Sequence, residues 1–172
     1  MLQRLLKERK AAILDGWMKR ILASYPKDSS HFLGRKGDPF GNPIGSTFQK
    51  HIEIIIDQLG GDRDQEVMDA ALMEMVKMRA VQQFSPSEAL GWILALREVF
   101  RETLKDEELA AMGEELKGFD GDVERLLFKA FDQFAGCRER MFEIRVREIR
   151  GQISKLVERM NRMGGGELLK LE

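Results

Sequence analysis

The sequence predicts an all-α fold, a helical bundle with a long protruding C-terminal helix. Three observations carry that expectation. Ala, Leu, Met, Glu, Lys and Arg dominate the chain and Tyr25 is the only tyrosine, an inventory that favours helix over strand. Apolar residues return at three- and four-residue spacing through most of the chain. Finally, Ser85-Pro86-Ser87-Glu88 joins an N-cap serine, a proline at the first helical position and a glutamate at the third, which together mark a helix start.

Taken in order, residues 3–24 read as one helix, with Leu6, Ile13, Trp17 and Ile21 on a stripe flanked by Leu14 and Met18. Tyr25-Pro26 ends it, because a residue before proline is pushed out of the α region. Residues 26–43 read as a long polar loop rich in proline and glycine, with Phe40 and Ile44 placed to pin it to the core. A second helix follows over 45–59, with Phe48, Ile52, Ile55, Ile56 and Leu59 inward, and Gly60-Gly61 stops it. A third spans 63–83 with Met68, Ala71, Leu72, Met75 and Met78 on one face. A fourth runs from Ser85 to about residue 105, with Ala89, Trp92, Ile93, Leu96 and Phe100 inward. A short helix covers 106–117 and closes at Gly118. Asp120 then caps a last helix over 121–163.

That last helix is about 60 Å long at ~1.5 Å per residue, whereas a domain of this size is only about 35–40 Å across, so the expectation is that it projects. Val123, Leu127, Ala130, Phe134, Cys137 and Met141 form a first stripe, assigned to the core. Phe142, Val146, Ile149, Ile153, Leu156, Met160 and Met163 form a second, which starts one residue late and is therefore turned by about 100°. The second stripe fits a heptad seam for a homodimer or another partner. Val146, Ile153 and Met160 take one seam position, and the other four take the second. The competing reading is an ordinary amphipathic helix folded back on its own domain. In a parallel pair Arg145 and Arg150 oppose each other and repel, which an antiparallel pairing or a different partner avoids. The organisation read from this is a helical domain over 1–141, a coiled-coil-like extension over 142–163 and a tail over 164–172.

Composition narrows the function. The chain has 172 residues, 43% hydrophobic and 33% charged, with formal net charge −1. That is one ordinary domain with a real core and no overall attraction for nucleic acid or acidic lipid. From Arg138 to Arg162 eight cations face four glutamates, but the signs are mixed and no basic patch with interleaved aromatics is visible, so a nucleic-acid role is not expected. Cys137 is the single cysteine, which excludes an intramolecular disulfide and a cysteine-based zinc site. It reads as a small core residue. No run of about 20 apolar residues offers a membrane span, and the N-terminus has no signal-peptide pattern, so the expected location is cytoplasmic.

No catalytic constellation is visible: neither a phosphate-cradling glycine loop with its lysine nor H-E-x-x-H occurs, and no enzyme activity is expected. Two histidines are present. His31 lies in the polar loop. His51 shares a face with Phe48, Ile52 and Ile55, which admits a haem- or small-ligand-binding reading against the plainer one of a half-buried histidine with one backbone or water partner. No metal site and no cofactor is otherwise implied, and Met68, Met73, Met75 and Met78 read as core filling. Arg79 and Gln82 fall beside the apolar stripe of the third helix and need partners there. Anchoring the fourth helix or the loop is favoured over lining a small pocket.

The motifs taken together carry a resemblance. Ile13-Leu14-Asp15-Gly16-Trp17 and Tyr25-Pro26 come first. Asp38-Pro39-Phe40-Gly41-Asn42-Pro43-Ile44-Gly45 and Arg79-Ala80-Val81-Gln82-Gln83-Phe84-Ser85-Pro86-Ser87-Glu88-Ala89 follow. In that order they resemble the N-terminal domain of the RsbT co-antagonist RsbRD family, regulators of the bacterial stressosome type. The last two stretches are the most specific. The resemblance implies a globin-like helical sensor domain that needs no haem, dimerises through its terminal helices and precedes a STAS domain. Only six residues follow Gly164-Gly165-Gly166, so the expectation here is a sensor or adaptor without a STAS domain, served by a partner chain of STAS or other signalling type. The family's phosphorylated residues lie in STAS and have no counterpart to carry over.

Overall fold

The computed structural model describes residues 1–25, 43–61, 63–82 and 84–164, with Pro43, Met163 and Gly164 described by backbone alone. Among the described residues the regular elements are eight helices, and the fold is all-α. They are α1 (Leu2–Glu8), α2 (Lys10–Ala23), α3 (Pro43–Gly60), α4 (Gln65–Ala80), α5 (Pro86–Leu90), α6 (Trp92–Glu102), α7 (Asp106–Ala111) and α8 (Gly113–Gly164). The chain divides into two units, Met1–Phe134 and Ala135–Glu172.

In the first unit α3 packs along α4, α1 and α2 lie on α3, and α6 lies on α2. The core contains Ile13, Trp17 and Ile21 from α2, Phe48, Ile52 and Ile55 from α3, Leu72, Met75 and Val76 from α4, and Leu96 and Phe100 from α6, all buried. The α2–α6 crossing is close because Gly16 has no side chain: a Cβ there would sit 2.9 Å from Val99 Cγ1.

Several boundaries differ from those the sequence predicts. The helix expected over 3–24 breaks at Arg9, whose φ of −99° and ψ of 6° leave the helical region. The helix expected from Ser85 to 105 breaks at Gly91. Conversely, the stop at Gly118 and the cap at Asp120 do not exist. The chain stays helical through both, and α8 begins at Gly113. Asp120 instead meets the next helix over: its carboxylate accepts from Arg101 Nη2 at 2.7 Å and its carbonyl from Arg97 Nη2 at 2.6 Å. A glycine inside a helix costs only about 1 kcal/mol against alanine, too little to end a helix by itself. Leu126 rather than Leu127 joins Val123, Ala130 and Phe134 in the core. Ile44 stands on the first turn of α3 and is 38% exposed. Phe40 and most of the predicted loop over 26–43 lie outside the described residues.

Salt bridges fasten the start of α8 within this unit. Arg63 grips Asp122 with both terminal nitrogens, Arg97 Nη2 reaches Glu124 at 2.9 Å, and Lys129 Nζ reaches Asp69 at 2.8 Å. Gly16→Leu is expected to destabilise the protein by about 1–3 kcal/mol, the usual cost of overpacking a core contact. Urea unfolding checks this, and Val99→Ala in the same chain should recover part of the loss.

Candidate functional site

Two places hold the residues singled out by the sequence. The first surrounds Arg79. Arg79 leaves the last turn of α4 and is fully buried, at 0% exposure. Its Nε donates to the Ala89 carbonyl at 3.2 Å, and its Nη2 donates to the Glu88 carbonyl at 2.7 Å and to Ser24 Oγ at 2.8 Å. The rings of Tyr25 and Phe84 lie over the guanidinium carbon at 4.7 and 4.2 Å. The Tyr25 hydroxyl donates to Gln82 Oε1 at 3.0 Å. Arg79 therefore ties the ends of α2 and α4 to the short α5. Sequence reasoning singled out Arg79 and Gln82, whereas Tyr25 entered it as a helix stop and as part of the family motif.

Beside this, Ser85 and Pro86 start α5 through a capping box. Ser85 Oγ accepts from the Glu88 N–H, and Glu88 Oε2 accepts from the Ser85 N–H at 2.9 Å and from its hydroxyl at 2.7 Å. The Ser85 hydroxyl, and then its N–H, hold the Glu88 carboxyl below its ordinary value. Two indoles complete the layer. Trp17 Nε1 donates to the Trp92 carbonyl at 2.7 Å, and Trp92 Nε1 donates to the Ala89 carbonyl at 2.9 Å.

Other candidates fall elsewhere. His51 is half-buried, and its Nδ1 lies 2.7 Å from the Thr47 carbonyl one turn earlier in α3, a backbone partner. Phe48, Ile52 and Ile55 on the same face are buried. Gly45 is buried in the first turn of α3, and Pro43 opens that helix. Asp38, Pro39, Phe40, Asn42 and His31 lie outside the described residues. Among the described residues no group of three or more His, Cys, Asp or Glu could hold a metal ion, and no helix is long and apolar enough to cross a membrane.

The second place is the helix of the unit that begins at Ala135. There Phe142 is 69% exposed, Ile149 49%, Ile153 45%, Leu156 56% and Met160 54%, and Val146 is half-buried. The Met163 side chain lies outside the described residues. In the first unit, Phe128 and Phe131 of α8 are also exposed. The sequence reading passed over both. Phe128 stands two heptads before Phe142 in sequence, a repeat long enough to have flagged it.

A family model, the RsbT co-antagonist protein rsbRD N-terminal domain, matches residues 11–149. The chain belongs to this family. The match covers the Arg79 layer and α8 as far as Ile149. A protein of Archaeoglobus fulgidus described only as uncharacterized is 25% identical over 139 residues, 79% of this chain and 82% of that one. No solved structure matches.

Two outcomes follow from the Arg79 layer. Trp17→Phe leaves a buried carbonyl without its indole donor and should cost about 1–3 kcal/mol, read as a lower urea midpoint at unchanged slope. Glu88 has a depressed folded-state pKa. Its contribution is therefore full above the ordinary carboxylate value and is lost as pH falls through the depressed one. Chemical unfolding of wild type and Glu88→Gln should show a gap at neutral pH that closes toward pH ~2.

Proposed function

We propose that this domain is a non-catalytic regulatory module that acts through protein contact, pairing with a second copy along the helix that carries Phe142 to Met160. The observation that carries the reading is the row of large apolar side chains left exposed at heptad spacing in the second unit. Water-exposed isoleucine, leucine and phenylalanine in one register are what an unpaired coiled-coil strand presents. Membership in a family of stress-regulator N-terminal domains supports a signalling role over a chemical one.

Seam chemistry favours a second copy side by side and parallel. Val146 and Ile153 put β-branched residues at one seam position, with Leu156 at the other, the combination that suits two parallel strands. The flanks agree on balance. In a parallel pair Arg138 faces Glu143 of the second copy, which offsets the repulsion between Arg145 and Arg150. An antiparallel pair that overlaps the same seam sets Arg150 against Arg150 and Arg145 against Arg159, with no acid to relieve either. Antiparallel pairing thus avoids the clash between Arg145 and Arg150 only by creating two others.

In this reading a ligand or protein partner, a STAS-type or other signalling chain among the candidates, shifts the pair between two packings of the helices. Sedimentation at tens of micromolar, a concentration that detects weak association, should show a dimer. Ile149→Asp combined with Leu156→Asp should return it to monomer with its melting behaviour retained. A wild-type monomer under the same conditions defeats the reading.

A further inference from the structure

Phe128 and Phe131 stand one turn apart on α8 within the first unit, yet they are 68% and 51% exposed. Val123, Leu126, Ala130 and Phe134 fill the core-facing side of the same helix stretch. At ~100° per residue the midline between the two rings lies about 120° from that side. The rings therefore form an apolar face that the unit itself does not use. Glu124, one turn earlier on the same line, is tied to Arg97 Nη2 at 2.9 Å and ends the face. Arg125 and Asp132 border it, about 70–90° from its midline and both on one edge.

We propose that a second copy of this chain covers Phe128 and Phe131 with its own Phe128 and Phe131, so that the pairing face reaches back from the Phe142–Met160 row into the first unit. The inference rests on the pairing proposed above and names a further part of its interface. Register supports it. Phe128 precedes Phe142 by two full heptads, and counted along the sequence both rings fall within about 30° of the line through Phe142, Val146, Ile149 and Ile153. Charge permits it. In a parallel pair the edge with Arg125 and Asp132 faces the opposite edge of the second copy, which carries Leu127, so neither residue meets its own like charge. Area argues for it. Fully covered, the exposed parts of Phe142, Ile149, Ile153, Leu156 and Met160 supply about 500 Å² per copy, or ~1,000 Å² for a pair. A permanent homodimer buries ~2,000 Å² or more, about 65% of it apolar, hence ~1,300 Å² of apolar surface. Phe128 and Phe131 add about 250 Å² per copy and bring the pair to ~1,500 Å². Each ring meets its counterpart across a twofold axis, where aromatic pairs contribute beyond the area they bury.

Sedimentation of the full chain compares wild type with a Phe128→Ser and Phe131→Ser double variant. Both rings are exposed in the single chain, so the variant should keep its fold and melting behaviour. Its dimer dissociation constant should rise about tenfold or more, the usual effect of truncating aromatic anchors in an interface. A second measurement uses Cys137→Ala to remove the native thiol. In that background Phe128→Cys should give a disulfide-linked dimer on mild oxidation, because the pairing sets the two copies of this position within bridging distance. Lys129→Cys, turned about 130° from the face, should not. Unchanged affinity in the serine variant, or no link through position 128, overturns this inference while the pairing along Phe142–Met160 stands. A wild type that stays monomeric removes both.

Discussion

The carbonyl oxygens at the end of α5 organise the packing of the first unit. A helix of only five residues cannot satisfy its own last carbonyls, and these are buried among Trp17, Trp92 and Arg79. Each must therefore be met from outside. Ala89's oxygen takes two donors, the Trp92 indole and Arg79 Nε, and Glu88's takes Arg79 Nη2. Trp92's own carbonyl, in turn, takes the Trp17 indole. One chain break at Gly91 thus fixes α2, α4 and α6 against a shared polar layer inside an otherwise apolar core. Directional bonds of this kind set the rotation of each helix, which hydrophobic burial alone leaves loose.

How much of this was legible in the sequence depends on whether the deciding signal was local. The capping box at Ser85 was readable because all its atoms belong to four consecutive residues, and α5 starts there. The apolar stripe of α2 was readable because a period of 3.6 residues needs no knowledge of what it packs on. The breaks at Arg9 and Gly91 were not, since each falls within an unbroken helical pattern of apolar residues. Gly118 and Asp120 erred in the opposite sense. Both look like helix punctuation, yet Arg97 and Arg101 capture Asp120 from another helix and the chain runs on. Of the candidate residues, Arg79 announced itself as a charge on an apolar face. Tyr25 and Phe84, whose rings meet edge to face against it, come from different parts of the chain and gave no joint signal.

Family membership and the physical reading agree on the class of molecule. The matched region ends at Ile149, within α8, so the family pattern includes the start of the apolar row that runs to Met160. The packed core of the first unit holds α8 at its beginning through Phe119, Val123 and Leu126 and through the Arg63 and Lys129 salt bridges. The same helix thus begins as an ordinary core element and continues into residues whose large side chains face water.

The arginines along that stretch give ionic strength a diagnostic role. Between Arg138 and Arg162 eight cations stand against four glutamates, and at ordinary salt such exposed charges interact over about 8–10 Å. An acidic partner laid on this face is drawn in by long-range attraction, and its hold loosens as ions are added. A like-charged copy behaves in the reverse sense, because added ions mask the mutual repulsion while the apolar contacts stay as they are. The slope of association against salt therefore carries a sign, and the sign names the kind of surface the helix has met.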